Sequence, residues 1–317
     1  MSKEKIILAI DTSNYTTSVA ILTERGELIA NLKRPLPVKQ GERGLRQSDA
    51  VFAHTVNFPD LMSEARGYIF DKEIVAIGVS EKPRNREGSY MPCFLSGVAV
   101  AEAVAASMGV PLYRFSHQCG HIMAAIYSSD NYSVLDGDFM AYHISGGTTE
   151  LVKVSPESDA FVAETVGGTA DVNAGQLIDR IGVYMGLPFP AGRHIEALAL
   201  NNTEKIPKKN ISRSGLYLNL SGVENMAVKL YDETNNKELV AAFVLDYIGR
   251  ALVELTDAMV AKYGDKPLAC AGGVMCNSII KKMLSEKHKV FFAEPQMSAD
   301  NAVGIAALTL RAYLSEK

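Results

Sequence analysis

Ile6-Ile-Leu-Ala-Ile-Asp-Thr-Ser-Asn14 is an apolar run broken by a polar turn, and the same figure returns as Phe139-Met-Ala-Tyr-His-Ile-Ser-Gly-Gly-Thr-Thr149. In the first copy Ile6–Ile10 reads as a buried strand and Asp11, Thr12, Ser13 and Asn14 as its turn. Thr17–Leu22 and Leu28–Leu32, joined at Glu24–Glu27, read as two hairpin strands. Phe52–Tyr68 then predicts a helix, Ile74–Val79 a strand, and the Ala/Val-rich Phe94–Met108 a helix ending at Gly109. The second copy predicts strands at Phe139–Ile144, Thr149–Val154 and Phe161–Val166. Helices over Asn173–Met185 and Lys237–Lys262 follow, then a strand at Leu268–Ala271. Three antiparallel strands, a helix, a strand and a helix, written twice, predict a duplicated α/β architecture with a ligand cleft between two lobes. No short fixed period is visible, which excludes a solenoid.

A chain of 317 residues suits two lobes better than one core. Its 47% hydrophobic and 21% charged residues are ordinary for a soluble globular protein. The first residues, Met-Ser-Lys-Glu-Lys5, lead straight into a strand and lack the apolar core and cleavage site of a signal peptide. No charge-free apolar stretch is long enough to span a bilayer. Cys93, Cys119, Cys270 and Cys276 fit neither a disulfide framework nor a zinc ribbon. A cytoplasmic protein with reduced thiols and no membrane association is expected.

The net charge of −4 does not announce a nucleic-acid binder. Three local clusters cut across that balance: Lys33, Arg34, Lys39, Arg43 and Arg46; Lys82, Arg84 and Arg86; and Lys205, Lys208, Lys209 and Arg213. Each reads either as a solvated loop or as part of a phosphate-contacting surface.

Six histidines are present, and two of them, His117 and His121, stand four apart. On a helix starting near Ser116 they share one face, with Cβ atoms about 5–6 Å apart, a spacing that suits two imidazoles on one transition-metal ion. The same pair is also compatible with two uncoordinated histidines at a half-exposed helix end. Cys119 lies between them as a further candidate ligand, though the central positions of such a pair face partly away. No Glu follows His117, so the metalloprotease arrangement is missing. Ser145-Gly-Gly-Thr-Thr149 pairs glycines that let backbone N–H groups approach an anion. Ala271-Gly-Gly-Val-Met-Cys-Asn277 sets Gly272 and Gly273 between a buried strand and a helix N-terminus. Either is a sequence that ligand-free turns also use. With the Asp11–Ser13 turn they make three such loops at strand ends, which favours a bound nucleotide.

Taken in order, these motifs resemble the TsaD/Gcp family, associated with threonylcarbamoyl transfer to adenosine 37 of tRNA. His117-x-x-x-His121 is similar to its paired metal histidines, and Ile144-Ser-Gly-Gly-Thr-Thr-Glu-Leu-Val152 to its Ser-Gly-Gly-His-Thr loop. Ala174–Asp179, Gly186–Gly192 and Ile195-Glu196 resemble its nucleoside-binding stretch; Leu220–Val223, Ala271–Asn277 and Asp300–Ala302 complete the series. The resemblance implies the actin-like, sugar kinase–Hsp70 (ribonuclease H-like) fold, with lobes at 1–135 plus 300–317 and at 136–299 around a nucleotide cleft. It implies one iron or zinc ion on His117, His121 and Asp300, with His143 as a candidate fourth ligand or a lining residue. Ser145, Gly146 and Gly147 would meet the acyl-phosphate end of threonylcarbamoyl-AMP, or of an ATP- or AMP-like nucleotide. Asp179, Gly192, Glu196 and Asn277 would hold its adenosine, with Ile144, Gly272 and Gly273 beside them. The implied partners are tRNA and TsaB- and TsaE-like helper subunits, in a heterodimer or a homodimer.

The chain also departs from that family. Its first turn is Asp11-Thr-Ser-Asn-Tyr-Thr-Thr17 where the family has Glu-Thr-Ser-Cys-Asp-Glu-Thr, and Thr148 replaces the loop histidine. Glu81–Ser89 is longer and more basic than the family's Gly-Pro-Gly turn, and Gly41–Ser48 shortens another loop. Three readings follow: transfer to tRNA, a paralogue that carbamoylates another acceptor, and a non-catalytic nucleotide-binding scaffold. The His117, His121 and Asp300 set argues against the scaffold, which has no use for a metal site.

Overall fold

The computed structural model describes residues 3–13, 15–37, 45–157 and 160–317. Asn14 of the first turn, and Lys39 and Arg43 of the first basic cluster, lie outside the described residues. The chain divides into two compact units: 1–137 with 155–164 and 296–317, and 138–154 with 165–295.

The first unit begins with β1 (Lys5–Asp11), β2 (Thr16–Thr23) and β3 (Leu28–Pro35). Ile6 to Ile10 are fully buried, as a strand covered on both faces must be. Helix α1 (Gln47–Ile69) leads to β4 (Glu73–Lys82), α2 (Phe94–Met108) to β5 (Leu112–Ser116), and α3 (His117–Ser129) follows directly. Among the described residues the sheet order is β3-β2-β1-β4-β5. β1 pairs antiparallel with β2 and parallel with β4, which pairs parallel with β5. The parallel pairs are joined through helices, the crossover that such pairs require.

The second unit repeats the scheme. It runs β6 (Phe139–Ile144), β7 (Thr149–Glu157), β8 (Ala160–Thr169), α4 (Ala174–Tyr184) and α5 (Gly192–Leu200), with the adjoining ends of β7 and β8 in the 155–164 stretch assigned to the first unit. The small strands β9 (Arg213–Ser214) and β10 (Tyr217–Leu218) precede α6 (Ser221–Thr234) and the long α7 (Lys237–Tyr263). β11 (Leu268–Ala271), α8 (Ser278–Ser285) and β12 (Val290–Phe292) close it. Its sheet order, β12-β11-β6-β7-β8-β10-β9, contains the first sheet's order read from the other end, with β9 and β10 added beside β8. The core packs Tyr142, Ile144 and Leu151 against α4 and against α7, whose Phe243, Tyr247 and Leu252 are buried.

The chain then returns to the first unit through α9 (Pro295–Ser298) and α10 (Val303–Ser315). Helix α10 is buried from Val303 through Thr309 and packs on α3, β1 and β4. Among the described residues no helix is long and apolar enough to cross a membrane.

Candidate metal centre and nucleotide loops

Ser116 ends β5 and caps α3: its hydroxyl accepts the Cys119 N–H at 3.2 Å. An N-cap serine satisfies one of the amides a helix start leaves unpaired, and it places His117 as the first helical residue and His121 one turn on. The two imidazole centroids lie 4.4 Å apart at 76°. The residue between them that matters to packing is Gly120. A Cβ on Gly304 of α10 would collide with the Gly120 carbonyl oxygen, so the two helices cross at backbone contact. That crossing brings the segment just before α10, which carries Asp300, to the two histidines.

Asp300 Oδ1 stands 3.3 Å from His121 Nε2 and 3.6 Å from His117 Nε2. One ligand atom from each of the three residues falls within 4.8 Å of the others. Ligands at about 2.0–2.2 Å from a tetrahedral ion stand about 3.3–3.6 Å apart, so these two separations fit a zinc- or iron-sized ion. On its far side the His117 ring places Nδ1 3.1 Å from Asp11 Oδ2. Asn301 fixes the Asp300 segment: its amide donates to the Met297 and Ala299 carbonyls at 2.8 and 2.7 Å and its oxygen accepts the Val303 N–H at 2.9 Å. Lys33 Nζ donates to the Gln296 carbonyl at 2.8 Å, tying β3 to the same segment.

The electrostatics follow from packing two carboxylates around two imidazoles. Burial disfavours charge on His117, but Asp11 and then Asp300 outweigh it and raise its pKa to about 10. Burial and then the neighbouring His117 charge lower that of His121. Burial also works against the Asp300 carboxylate, yet hydrogen bonds from His117 and His121 hold it well below the usual range. Cys119 is a buried thiol pushed up by burial to about 11, with Asn85 Nδ2 3.4 Å from its sulfur. It is not a member of the three-residue group.

Apart from the Asp11–Ser13 turn, the remaining predicted residues lie in the second unit. The Ser145 N–H closes its loop on the Thr148 carbonyl at 2.8 Å. Asn173 Nδ2 donates to the Gly147 carbonyl at 3.0 Å, and the Ala174 N–H donates to Thr149 Oγ1 at 2.8 Å. The N-terminus of α4 therefore sits on the Ser145–Thr149 loop, with Gly175 in backbone contact with Ser145 and Gly146. Asp179, one turn into α4, accepts the Ala191 N–H at 2.7 Å beside Gly192; burial raises its pKa. Glu196 of α5 accepts the Ser278 N–H and hydroxyl at 2.7 and 2.5 Å, and Asn277 caps α8 by accepting the Ile279 and Ile280 N–H groups at 3.1 Å. Gly272 has φ of +96°, and a Cβ there would strike the Ile144 carbonyl. His143 is buried at the end of β6, in register with Glu150 and Ala271.

The sequence alone assigns Asp11, Thr12 and Ser13 to a ligand-facing turn; all three are buried. Thr12 Oγ1 donates to the Phe94 carbonyl at 3.5 Å and accepts the Gly97 N–H at 3.2 Å. Ser80, which no sequence signal singles out, donates to Asp11 Oδ1. Motif reading has no access to such a contact, because it joins strands 69 residues apart.

Residues 44–307 match the family model described as tRNA N6-adenosine threonylcarbamoyltransferase. A protein of that description from Streptococcus suis (strain 05ZYH33) is 30% identical over 334 residues, covering 100% of this chain and 95% of that one. Another, from Streptococcus pneumoniae (strain CGSP14), is 30% identical over 332 residues, covering 99% and 94%. Among solved structures, T. kodakarensis HypF superposes with a TM-score of 0.62 at 12% identity, over 99% of this chain and 48% of that one. Component A of the Acidaminococcus fermentans (R)-2-hydroxyglutaryl-CoA dehydratase gives 0.58 at 13%, over 98% and 99%. At such identity these two share the fold alone, and with the doubled sheet order they give the duplicated actin-like architecture.

Proposed function

Because this chain belongs to the tRNA N6-adenosine threonylcarbamoyltransferase family, we propose that it transfers the threonylcarbamoyl group of threonylcarbamoyl-AMP to N6 of adenosine 37 in tRNA. The observation that carries this reading is the convergence of His117, His121 and Asp300 at separations that suit one ion. Two imidazoles and one carboxylate leave coordination positions open, the composition of a catalytic rather than a structural site. A zinc or ferrous ion held there supplies Lewis-acid polarisation of a carbonyl.

The chain's own residues bind and orient. Ser145, Gly146 and Gly147 take the acyl-phosphate end, at the N-terminus of α4 where backbone amides and the helix dipole favour an anion. Asp179 Oδ1 and Glu196 Oε1 hold the fold together; we assign the second oxygen of each to ribose hydroxyls, with Gly192, Gly272, Gly273 and Asn277 around the nucleoside. His143 and Ile144 are assigned to that side rather than to the ion, since β6 carries them directly into the Ser145 loop. The N6 amine attacks the carbamoyl carbon, the new C–N bond forms, the carbon–oxygen bond to phosphate breaks, AMP leaves and N6 gives up a proton. tRNA, TsaB- and TsaE-like helper subunits and a cytoplasmic setting belong to the same proposal.

The test is a transfer assay with purified threonylcarbamoyl-AMP, the helper subunits and unmodified tRNA. Modified adenosine should accumulate. Consumption of the adenylate without modified adenosine would shift the acceptor to another molecule, in keeping with the replacement of the family's Gly-Pro-Gly turn by Glu81–Ser89. Nucleotide binding without any turnover would leave only a scaffold.

A further inference from the structure

Asp11 ends β1 with no exposed surface, and its carboxylate is engaged by protein on both oxygens. Oδ2 accepts the Ser13 hydroxyl at 3.0 Å and lies 3.1 Å from His117 Nδ1, while Ser80 donates to Oδ1. Its main-chain carbonyl accepts the Ser18 hydroxyl at 3.1 Å. A carboxylate so enclosed is not placed to meet a phosphate or a nucleotide-bound cation, the role its strand-end position suggests. What it does face is the nitrogen of His117 directed away from Asp300.

We propose that Asp11 is a positioning residue for the His117, His121 and Asp300 centre, holding His117 with its proton on Nδ1 so that the Nε2 lone pair points at the ion. The inference rests on the metal reading above. An imidazole whose Nδ1–H is donated to a carboxylate is fixed in both tautomer and ring orientation, and its other nitrogen becomes the more basic ligand. Ser13 and Ser80 set the Asp11 carboxylate in turn, so the aim of His117 is fixed by three residues from β1, its turn and β4.

Asp11→Asn tests this with little change in volume. Ser80 keeps the amide oxygen at the Oδ1 position, which leaves the NH2 at the Oδ2 position facing His117 and Ser13 and favours the Nε2–H tautomer, the one that cannot ligate. Zn(II) affinity, measured by competition with a chromophoric chelator, should fall roughly 10–100-fold. With both proteins saturated with zinc, long-range 15N–1H spectra should show His117 as Nδ1–H in the wild type, a signature that should be lost in Asp11→Asn. Wild-type zinc affinity and an unchanged tautomer in Asp11→Asn, with His121→Ala still impaired, would overturn the inference alone. Failure of the wild-type protein to bind zinc more tightly than His121→Ala would overturn the metal reading and this inference with it. Should Asp11→Asn not fold, Ser80→Ala loosens the same carboxylate; several-fold weaker zinc binding is expected there, and wild-type affinity would overturn the inference.

Discussion

His121 Nε2 and Asp300 Oδ1 face each other at 3.3 Å, and His117 Nε2 stands 3.6 Å from the same oxygen. Asp300→Ala removes the single carboxylate among the three donors, and bound zinc or iron should fall to background in elemental analysis while far-UV circular dichroism stays native. The comparison for that variant is His143→Ala, which should keep its metal content and instead weaken AMP binding in calorimetry. At this scale the sequence displays half of the centre. Two histidines four apart on a capped helix are visible as such, because helix periodicity alone sets their common face. Asp300 is 179 positions beyond His121, and only the resemblance to a family draws attention to it. The contacts of Asp11 with His117 and Ser80 are tertiary, and nothing local in Ile10-Asp-Thr-Ser13 foretells that the turn points inward.

Gly120 and Gly304 make the crossing of α3 and α10 a matter of single atoms. Gly304→Ala drives a methyl into the Gly120 carbonyl and the Ala124 amide, both backbone. Overpacking of this kind costs about 1–3 kcal/mol, and separating the helices should also lower metal content; thermal unfolding and elemental analysis read the two effects. A second element-level effect lies in the other unit, where Asp171 holds the start of α6. Its Oδ1 accepts the Val172 and Leu220 N–H groups at 2.7 Å and its Oδ2 the Ser221 N–H at 3.0 Å. Burial works against the charge, but the hydrogen bonds from Ser221 and Leu220 win and lower its pKa to about 2. Since the folded value lies below the unfolded carboxylate value of about 4, the stabilisation is complete above that pH and disappears as pH falls through about 2. The residue is exposed, so Asp171→Ala should cost no more than about 1 kcal/mol at neutral pH after solvent screening. Denaturant midpoints of variant and wild type should converge near the lower pH. Among elements, α2 and β6 have the limits that their composition predicts. β5 does not stand out in sequence because Arg114 interrupts a five-residue run, and α10 is buried almost all round and so lacks an amphipathic period.

The order β3-β2-β1-β4-β5 recurring as β8-β7-β6-β11-β12 is the large-scale counterpart of the two strand-and-turn figures in the sequence. That duplication is legible from rhythm because each copy begins with a buried strand and a polar turn. The β9–β10 extension is not, since two-residue strands carry no pattern. Charge distribution is also a property of the whole chain. In the first basic cluster Arg34 pairs with Glu64 at 2.5 Å and Lys33 is tied to Gln296, whereas Arg86 in the second is exposed. Reversing Arg84 and Arg86 to Glu should weaken tRNA binding across sequences and reduce its salt slope by about one for each phosphate no longer neutralised, leaving AMP affinity unchanged. The proposed function requires one ion held by His117, His121 and Asp300 for tRNA modification. Metal content and modified adenosine measured on the same preparations of wild type and the His117→Ala, His121→Ala double variant address it directly. About one zinc or iron per chain is expected in the wild type, with both metal and modified adenosine absent from the variant. Full metal retention or undiminished modification by the double variant would contradict it.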